Sequence, residues 1–560
     1  MSPVKIVFVD LEIVRRTKRM YKIGAIKLKG DSAFKEKMER PLTTLHEESD
    51  KTPDEKEAEL AERDPEKFFY REIRINSELS EDDYDTWRKN TLKDFHDFAK
   101  DADYLCNHNM ISFDSKYLKT DVDDVLGRKQ PFNYIDTLTI SPLLLAEYPV
   151  HRLGKDYKEE KAEGNEVKSN LPMEDAAKCQ NLLVDEGKRY NQLLNDETGK
   201  VVISILYRLL NQQINNNARS GKGRKRVTLK EKLHTEHNFF FELMEYNLPV
   251  DRDAKTLVDD IKTVFKGELC FSKDSGETIE DYIRTEPIAL AYLLSNVYID
   301  AKRREYNTEL TDKVVIPPYV LRCYPSIERI DRALRQRKCQ DKKCPYCSKG
   351  RFDAKKGLKD IFDYSTFSTF MDSNGKKQAL QENAVNDALA GESMLSIFPT
   401  GGGKSIAFQL PAMMQWEMNG ALTLVISPLQ SLMNDQVNGL ETIGIQWAAQ
   451  TINGSTKSIR REKILEDVYS GKTSILYVSQ ESLRSRWMRN LMRDRCIARV
   501  VIDEAHCFSG WGHDFRPDYR YIGRFIRDLQ ADKGDICIPV SCYTATADEH
   551  VRTDILNYFK

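Results

Sequence analysis

Ser396 to Pro411 reads SIFPTGGGKSIAFQLP. An apolar run leads into consecutive glycines, then Lys404 and Ser405, then a run with helical spacing. That order suits a strand feeding a phosphate-binding loop that opens a helix. Gly401, Gly402 and Gly403, preceded by Thr400, let backbone N–H groups turn inward on phosphate oxygens. Lys404 would reach the β- and γ-phosphates, and the Ser405 hydroxyl would sit on Mg²⁺. The strict loop pattern wants Gly where Phe398 stands, so a second stretch carries the reading. Val500 to His506 reads VVIDEAH, a hydrophobic strand ending in paired acids. Asp503 suits the metal, and Glu504 suits polarising an attacking water. Together the two stretches predict an ATP site.

Composition sets the frame for this site. A chain of 560 residues should hold three or four domains. It is 40% hydrophobic and 31% charged, an ordinary water-soluble make-up. No apolar run approaches the ~20 residues of a membrane span, so no membrane partner is expected. The N-terminus runs straight into a strand pattern, without a secretory leader. A reducing, cytoplasmic setting follows, nucleoid-associated in a bacterium. Net charge is −2, so any affinity for nucleic acid must come from local patches. Two stand out: Arg219 to Arg226, RSGKGRKR, and Arg332 to Lys343, RALRQRKCQDKK.

Further motifs give the ATP site a family. Gln381 lies upstream of the glycine loop, and SPLQSLMNDQV spans Ser427 to Val437. YVSQESL spans Tyr477 to Leu483, FSGWGHDFRPDY follows the DEAH run from Phe508 to Tyr519, and TAT spans Thr544 to Thr546. Residues from about 378 to 560 resemble the first motor lobe of a RecQ-type superfamily 2 DNA helicase. The resemblance implies a RecA-like parallel sheet, with ATP and Mg²⁺ as cofactors and single-stranded or forked DNA as partner. It implies that Gln381 reads adenine and that His506 completes the DEAH box. Trp511, His513, Phe515 and Arg516 would form the aromatic loop that couples DNA to hydrolysis. That role makes physical sense, because aromatic rings stack bases of any sequence and Arg adds phosphate contact. The family closes its ATP site with an arginine from a second lobe. No second lobe is read after Thr546, so a C-terminal continuation or a protein partner is expected to supply that arginine.

The N-terminus suggests a second chemistry. Val4 to Ile13 reads VKIVFVDLEI, a buried-strand pattern holding Asp10 and Glu12. Residues i and i+2 of a strand share a face, so both carboxylates can serve one metal pair. LCNHNMISFDSKYL, from Leu105 to Leu118, carries Asp114. YIDTLTISPLLL begins at Tyr134, and NLPMEDAAKCQNLL, from Asn170 to Leu183, carries Asp175 near a helix start. The first 190 residues or so resemble a DnaQ-like DEDD 3′–5′ exonuclease of RNase H-like fold. The resemblance makes Asp10, Glu12, Asp114 and Asp175 the ligands of Mg²⁺ or Mn²⁺. One departure bears on activity: the two subclasses place a His or a Tyr as general base where Asn170 and Leu171 stand. Asn cannot hold a proton near neutral pH, so catalysis by that route is lost.

Between the two lies RKCQDKKCPYCSKGR, with Cys339, Cys344 and Cys347 spaced C-x₄-C-x₂-C. With Cys323 upstream, four thiolates would close a structural Zn²⁺ site, an iron–sulfur cluster being the alternative. The other cysteines sit in apolar runs and read as small core residues. The expected organisation is α/β and multidomain: an exonuclease-like domain over 1–190, a mostly helical connector over 191–320, a Cys-rich module over 321–355 and an ATP-binding lobe over 356–560. The pairing resembles the Werner-type combination of exonuclease and RecQ helicase. A non-catalytic DNA-end-binding or assembly module, in repair or in defence against foreign DNA, is the alternative.

Overall fold

The computed structural model describes residues 4–14, 17, 19–29, 51–73, 79–110, 114, 118, 133–148, 171–210, 254–272, 276–307, 312–371, 376–399, 401–445, 448–453, 456–508, 519–545, 547 and 549–559. They fall into two compact units, one drawn from residues 4–145 and 171–207, the other from 146–148, 208–210 and 254–559.

The first unit is built on a five-stranded sheet: β1 (Lys5–Ile13), β2 (Met20–Lys29), β3 (Phe68–Glu72), β4 (Tyr104–Asn107) and β5 (Asn133–Asp136), in the order β3-β2-β1-β4-β5. β1 pairs antiparallel with β2 and parallel with β4, so it is the central strand. Its alternation decides what each face does. Val7, Val9 and Leu11 enter a core shared with Leu92, Phe95 and Phe98 of the helix Glu81–Ala99. The intervening positions, Asp10 and Glu12 among them, therefore face the opposite side, where the helix Pro172–Leu194 packs on β1 and β2. Gly24 pairs with Asp10 across the β1–β2 ladder. A Cβ on Gly24 would stand 2.7 Å from the Met173 nitrogen, so only glycine admits the start of that helix here.

The second unit holds a parallel six-stranded sheet. Its strands are β8 (Met394–Ile397), β9 (Leu422–Ile426), β10 (Ala449–Ile452), β11 (Ile475–Val478), β12 (Ile497–Ile502) and β13 (Val540–Thr544), in the order β10-β11-β9-β12-β13-β8. A short ribbon of β6 (Phe370–Met371) and β7 (Lys377–Gln378) precedes it. Both faces are covered by apolar clusters, as a parallel sheet requires. β9 and β12 are buried along their whole length and read as continuous apolar runs, LTLVI and IARVVI. Arg499 within β12 is buried by donating to the Ala388 and Glu392 carbonyls and the Ser541 hydroxyl. All six strands run the same way, so the loops after their C-terminal ends open on one edge.

The helices over 254–335 and the Cys-rich segment belong to this same unit. The helix Ser326–Arg335 joins β12 through Glu328, which accepts from the Ile497 amide (2.9 Å) and from Lys533. Among the described residues, no helix is long and apolar enough to cross a membrane.

Candidate functional site

The glycine loop leaves β8 at Ile397 and enters the helix Lys404–Asn419. Gly403 takes the left-handed conformation at the helix N-cap (φ 71°), where its lack of a side chain is needed twice over. A Cβ there would lie 2.5 Å from Gln381 Nε2. Gln381 itself is buried; its Nε2 donates to the Gly403 carbonyl (2.9 Å), and its Oε1 accepts from the Ser368 amide (2.9 Å). The glutamine thus holds the back of the loop.

The DEAH segment leaves β12, and β13 runs between β12 and β8 in the sheet. The topology brings Lys404 and the acid pair together from a hundred residues apart. Lys404 Nζ lies 2.7 Å from Glu504 Oε1 and 4.0 Å from Asp503 Oδ1. Glu504 also has positive φ (48°), and its amide accepts support from Asp503 by donating to Oδ1 (2.9 Å). On its other side Glu504 meets His506, whose Nδ1 is 3.2 Å from Glu504 Oε2 and 3.1 Å from Thr544 Oγ1. The TAT segment on β13 is therefore wired to the DEAH box. His506 and Lys404 hold Glu504 down at about 2, and burial pushes Asp503 up to about 6, with the Glu504 charge adding to it. A buried acid whose ionisation is disfavoured suits a divalent cation, which restores the charged form.

Ser427 and Ser479 directly follow β9 and β11, so the stretches SPLQSLMNDQV and QESL leave the same edge of the parallel sheet as the glycine loop after β8. Thr400, Trp511, His513, Phe515 and Arg516 lie outside the described residues, as do Asn170 and Arg219 to Arg226. Of the basic stretch near the cysteines, Arg332 and Arg335 are spent internally. Arg332 Nη2 donates to the Ile497 carbonyl (2.7 Å), and Arg335 is buried against Asp331 and the Met418 carbonyl. Arg337, Lys338, Lys342 and Lys343 remain exposed.

In the first unit, Asp10, Glu12 and Asp175 offer carboxylate oxygens that all lie within 4.8 Å of one another. Asp114 stands outside that group but is tied to it by Asn107, whose Nδ2 donates to Asp114 Oδ2 (2.8 Å) and Asp10 Oδ1 (3.2 Å). Burial, then the charges of Asp175 and Glu12, raises the Asp10 carboxyl well above the usual range; burial, then Asp10, does the same for Asp114.

Sequence reasoning missed three residues here. Asn107 is one. Lys178 is the second, reaching Asp175 Oδ1 (3.0 Å) and Glu174 Oε1 (3.4 Å) from the next turn. Glu57 is the third: fully buried, it accepts from the Met173 amide (3.2 Å) and the Glu174 amide (2.9 Å). Leu171 at that helix's N-cap offers no capping side chain, so Glu57 takes that part from another helix. The i, i+3 spacing signals Lys178 in the sequence; nothing local signals Glu57.

The cysteine expectation needs one correction. Cys339, Cys344 and Cys347 do converge, but the fourth thiol is Cys270, not Cys323. Cys323 ends the helix Pro318–Cys323 and does not belong to the group. Cys270 looked like a core cysteine because its partners lie some seventy residues away; it is held by its amide donating to the Leu334 carbonyl (2.8 Å).

Residues 378–554 match the DEAD/DEAH box helicase family. The chain is 40% identical over 184 residues to the ATP-dependent DNA helicase hus2/rqh1 of Schizosaccharomyces pombe, covering 32% of this chain and 13% of that one. It is 38% identical over 201 residues to the ATP-dependent DNA helicase RecQ of Haemophilus influenzae, covering 36% and 29%. It is 36% identical over 226 residues to the ATP-dependent DNA helicase Q-like 2 of Arabidopsis thaliana, covering 38% and 30%. The chain thus spans less than a third of the length of these relatives. This segment is thus similar to a DEAD/DEAH-box helicase domain, and it lies on the parallel six-stranded sheet. Within that class it is similar to the RecQ-type DNA helicases.

Proposed function

We propose that this protein is a RecQ-like, ATP-dependent DNA helicase motor joined to a DEDD-type, metal-dependent exonuclease-like domain. The observation that carries the motor reading is Lys404 against Glu504 and Asp503, brought from separate strands to one sheet edge. ATP phosphates would be held by Lys404 and the amides of Gly401 to Gly403, and Mg²⁺ by Ser405 and Asp503. The ion would supply charge neutralisation on the transferring phosphoryl group. Glu504 orients and deprotonates water, and His506 carries that acid's state to Thr544. The loops after β9 and β11 would track the DNA backbone. In the other unit, Asp10, Glu12, Asp114 and Asp175 would hold one or two divalent ions, and the β3-β2-β1-β4-β5 order with an antiparallel β1–β2 pair supports an RNase H-like reading.

Binding and hydrolysis of a fluorescent ATP analogue, with and without single-stranded and forked DNA, test the motor. Binding should depend on Lys404 and Mg²⁺, and turnover should rise with DNA once a second lobe is supplied. An arginine clamp from that lobe is worth ~10³–10⁵ in rate, so residues 1–560 alone should turn over slowly. Nucleotide affinity unchanged by Lys404→Ala would remove the motor reading. Nuclease assay with Mg²⁺ and Mn²⁺ tests the other unit, and DNA-end binding without cleavage in either metal would favour the assembly-module alternative.

A further inference from the structure

We propose that Cys270, Cys339, Cys344 and Cys347 bind one zinc ion, and that this ion braces the nucleotide-binding helices from behind. The metal claim does not depend on the motor reading; the bracing role does.

The geometry distinguishes a single ion from a cluster. Cys339 and Cys347 Sγ are 3.7 Å apart, Cys347 and Cys270 3.8 Å, and Cys344 and Cys270 3.9 Å. All four sulfurs lie within 4.8 Å of one another. A tetrahedron with ~2.3 Å zinc–sulfur bonds has edges of about 3.8 Å, so these sulfurs stand at the corners that one ion needs. A four-iron cluster puts each thiolate on a different metal, and a two-iron cluster splits them into distant pairs. Neither fits four sulfurs crowded this closely. None of the four is in a disulfide. Four thiolates leave no open coordination position, which makes the site structural.

The surroundings are built to hold this knot. The Cys344 amide donates to the Asp341 carbonyl (3.1 Å) and the Ser348 amide to the Cys344 carbonyl (3.0 Å), which closes the C-P-Y-C turn. Lys349 Nζ donates to the Gly267 carbonyl (3.1 Å), fastening the turn to the segment that carries Cys270.

From the knot, two routes reach the ATP site. Cys270, Cys344 and Cys347 share an apolar cluster with Val385 and Leu389, on the Gln381 helix, and with Leu410 and Met414, on the Lys404 helix. Polar contacts add a second route. Tyr346 OH donates to the Arg335 carbonyl (2.6 Å), Arg335 donates to the Met418 carbonyl, and Gln336 Nε2 donates to Asn419 Oδ1 (3.1 Å). The last turn of the Lys404 helix is thus capped by residues packed on the cysteine knot, where free carbonyls need donors.

The test is metal analysis of the full chain with differential alkylation. One zinc per chain, no iron and no visible absorbance is the expected result. Cys339 and Cys323 are both half-buried, so burial shields them alike. Alkylation of the native protein should mark Cys323 and spare Cys339; zinc-selective chelation, with Mg²⁺ kept in excess, should open Cys339 and weaken nucleotide binding by about tenfold or more. Cys270→Ser should lose the zinc, and Cys323→Ser should keep it. Should Cys270→Ser fail to fold, the cobalt-substituted wild type decides: thiolate-to-cobalt bands of a four-sulfur site support the proposal, and those of a three-sulfur site overturn it. Bound iron with visible absorbance, no metal, or zinc retained by Cys270→Ser would each overturn the metal claim. Zinc present but nucleotide affinity unmoved by chelation, with Lys404→Ala still abolishing binding, would overturn the bracing role alone.

Discussion

Lys404 Nζ sits 2.7 Å from Glu504 Oε1, across two neighbouring strands from where its own loop begins. The lysine that should hold phosphate is paired with the acid that should activate water. Nucleotide must therefore compete with Glu504 for Lys404. Glu504→Gln keeps a hydrogen-bond acceptor but removes the charge, so nucleotide affinity should hold or rise several-fold while hydrolysis falls by ~10²–10⁴. Lys404→Ala should lower affinity and hydrolysis together. Fluorescence titration with an ATP analogue, read beside phosphate release, checks both; weaker binding in Glu504→Gln would contradict the competition.

Gly403→Ala should damage the same site by a different route. The position combines φ 71° with a Cβ 2.5 Å from Gln381 Nε2, so alanine strains the backbone and displaces the glutamine. A loss of ~1–3 kcal/mol is expected from the backbone alone. Thermal melting and ATP-against-GTP competition measure the two effects; unchanged base preference would mean that Gln381 has no part in reading the base.

Glu57→Ala should loosen the proposed metal site at Asp10, Glu12 and Asp175 without touching any of the three. Its carboxylate is the acceptor for the amides of Met173 and Glu174, in the same helical turn as Asp175. Leaving buried donors unpaired costs about 1–3 kcal/mol. Mn²⁺ affinity by calorimetry should fall with stability in Glu57→Ala, whereas Asp175→Ala should abolish binding. Full Mn²⁺ affinity in a destabilised Glu57→Ala would assign Glu57 to folding only.

Exonuclease activity, if measured on the intact chain, should be slow and favour Mn²⁺. With Asn170 at the base position, ~10²–10⁴ in rate is missing, and Asn170→His should recover part of it. Fast Mg²⁺-supported digestion by the unaltered protein would point to another base.

Acid should weaken the first unit through Asp101. Hydrogen bonds from Lys5 (2.7 Å) and Lys27 (2.9 Å) hold its carboxyl down at about 2, against an ordinary 3.8. A depressed carboxylate contributes above its unfolded value and is lost as pH falls through the folded one. The loss should therefore run from about pH 4 to pH 2, and it should be small because the group is largely solvated. Acid unfolding of Asp101→Asn should show a shallower slope in that window, and high salt should erase the difference.

Much of the candidate ATP site was legible because its chemistry is local. The loop at 401–405 and the acids at 503–504 are contiguous motifs flanked by apolar runs, and a parallel sheet buried on both faces leaves that signature in sequence. Asp10 and Glu12 were equally legible, since strand alternation alone puts them on one face. Tertiary structure decided everything that depends on distant backbone. It set Lys404 on Glu504, because strand order is not written in any one segment. It brought Glu57 to the start of the Asp175 helix, where the Met173 and Glu174 amides needed an acceptor. It turned Arg332 and Arg335 inward, where carbonyls at strand and helix ends needed donors more than DNA needed cations. It also replaced Cys323 by Cys270. Spacing along the chain identifies the thiols of one tight turn, but the fourth corner of a tetrahedron belongs to whichever cysteine the fold carries there.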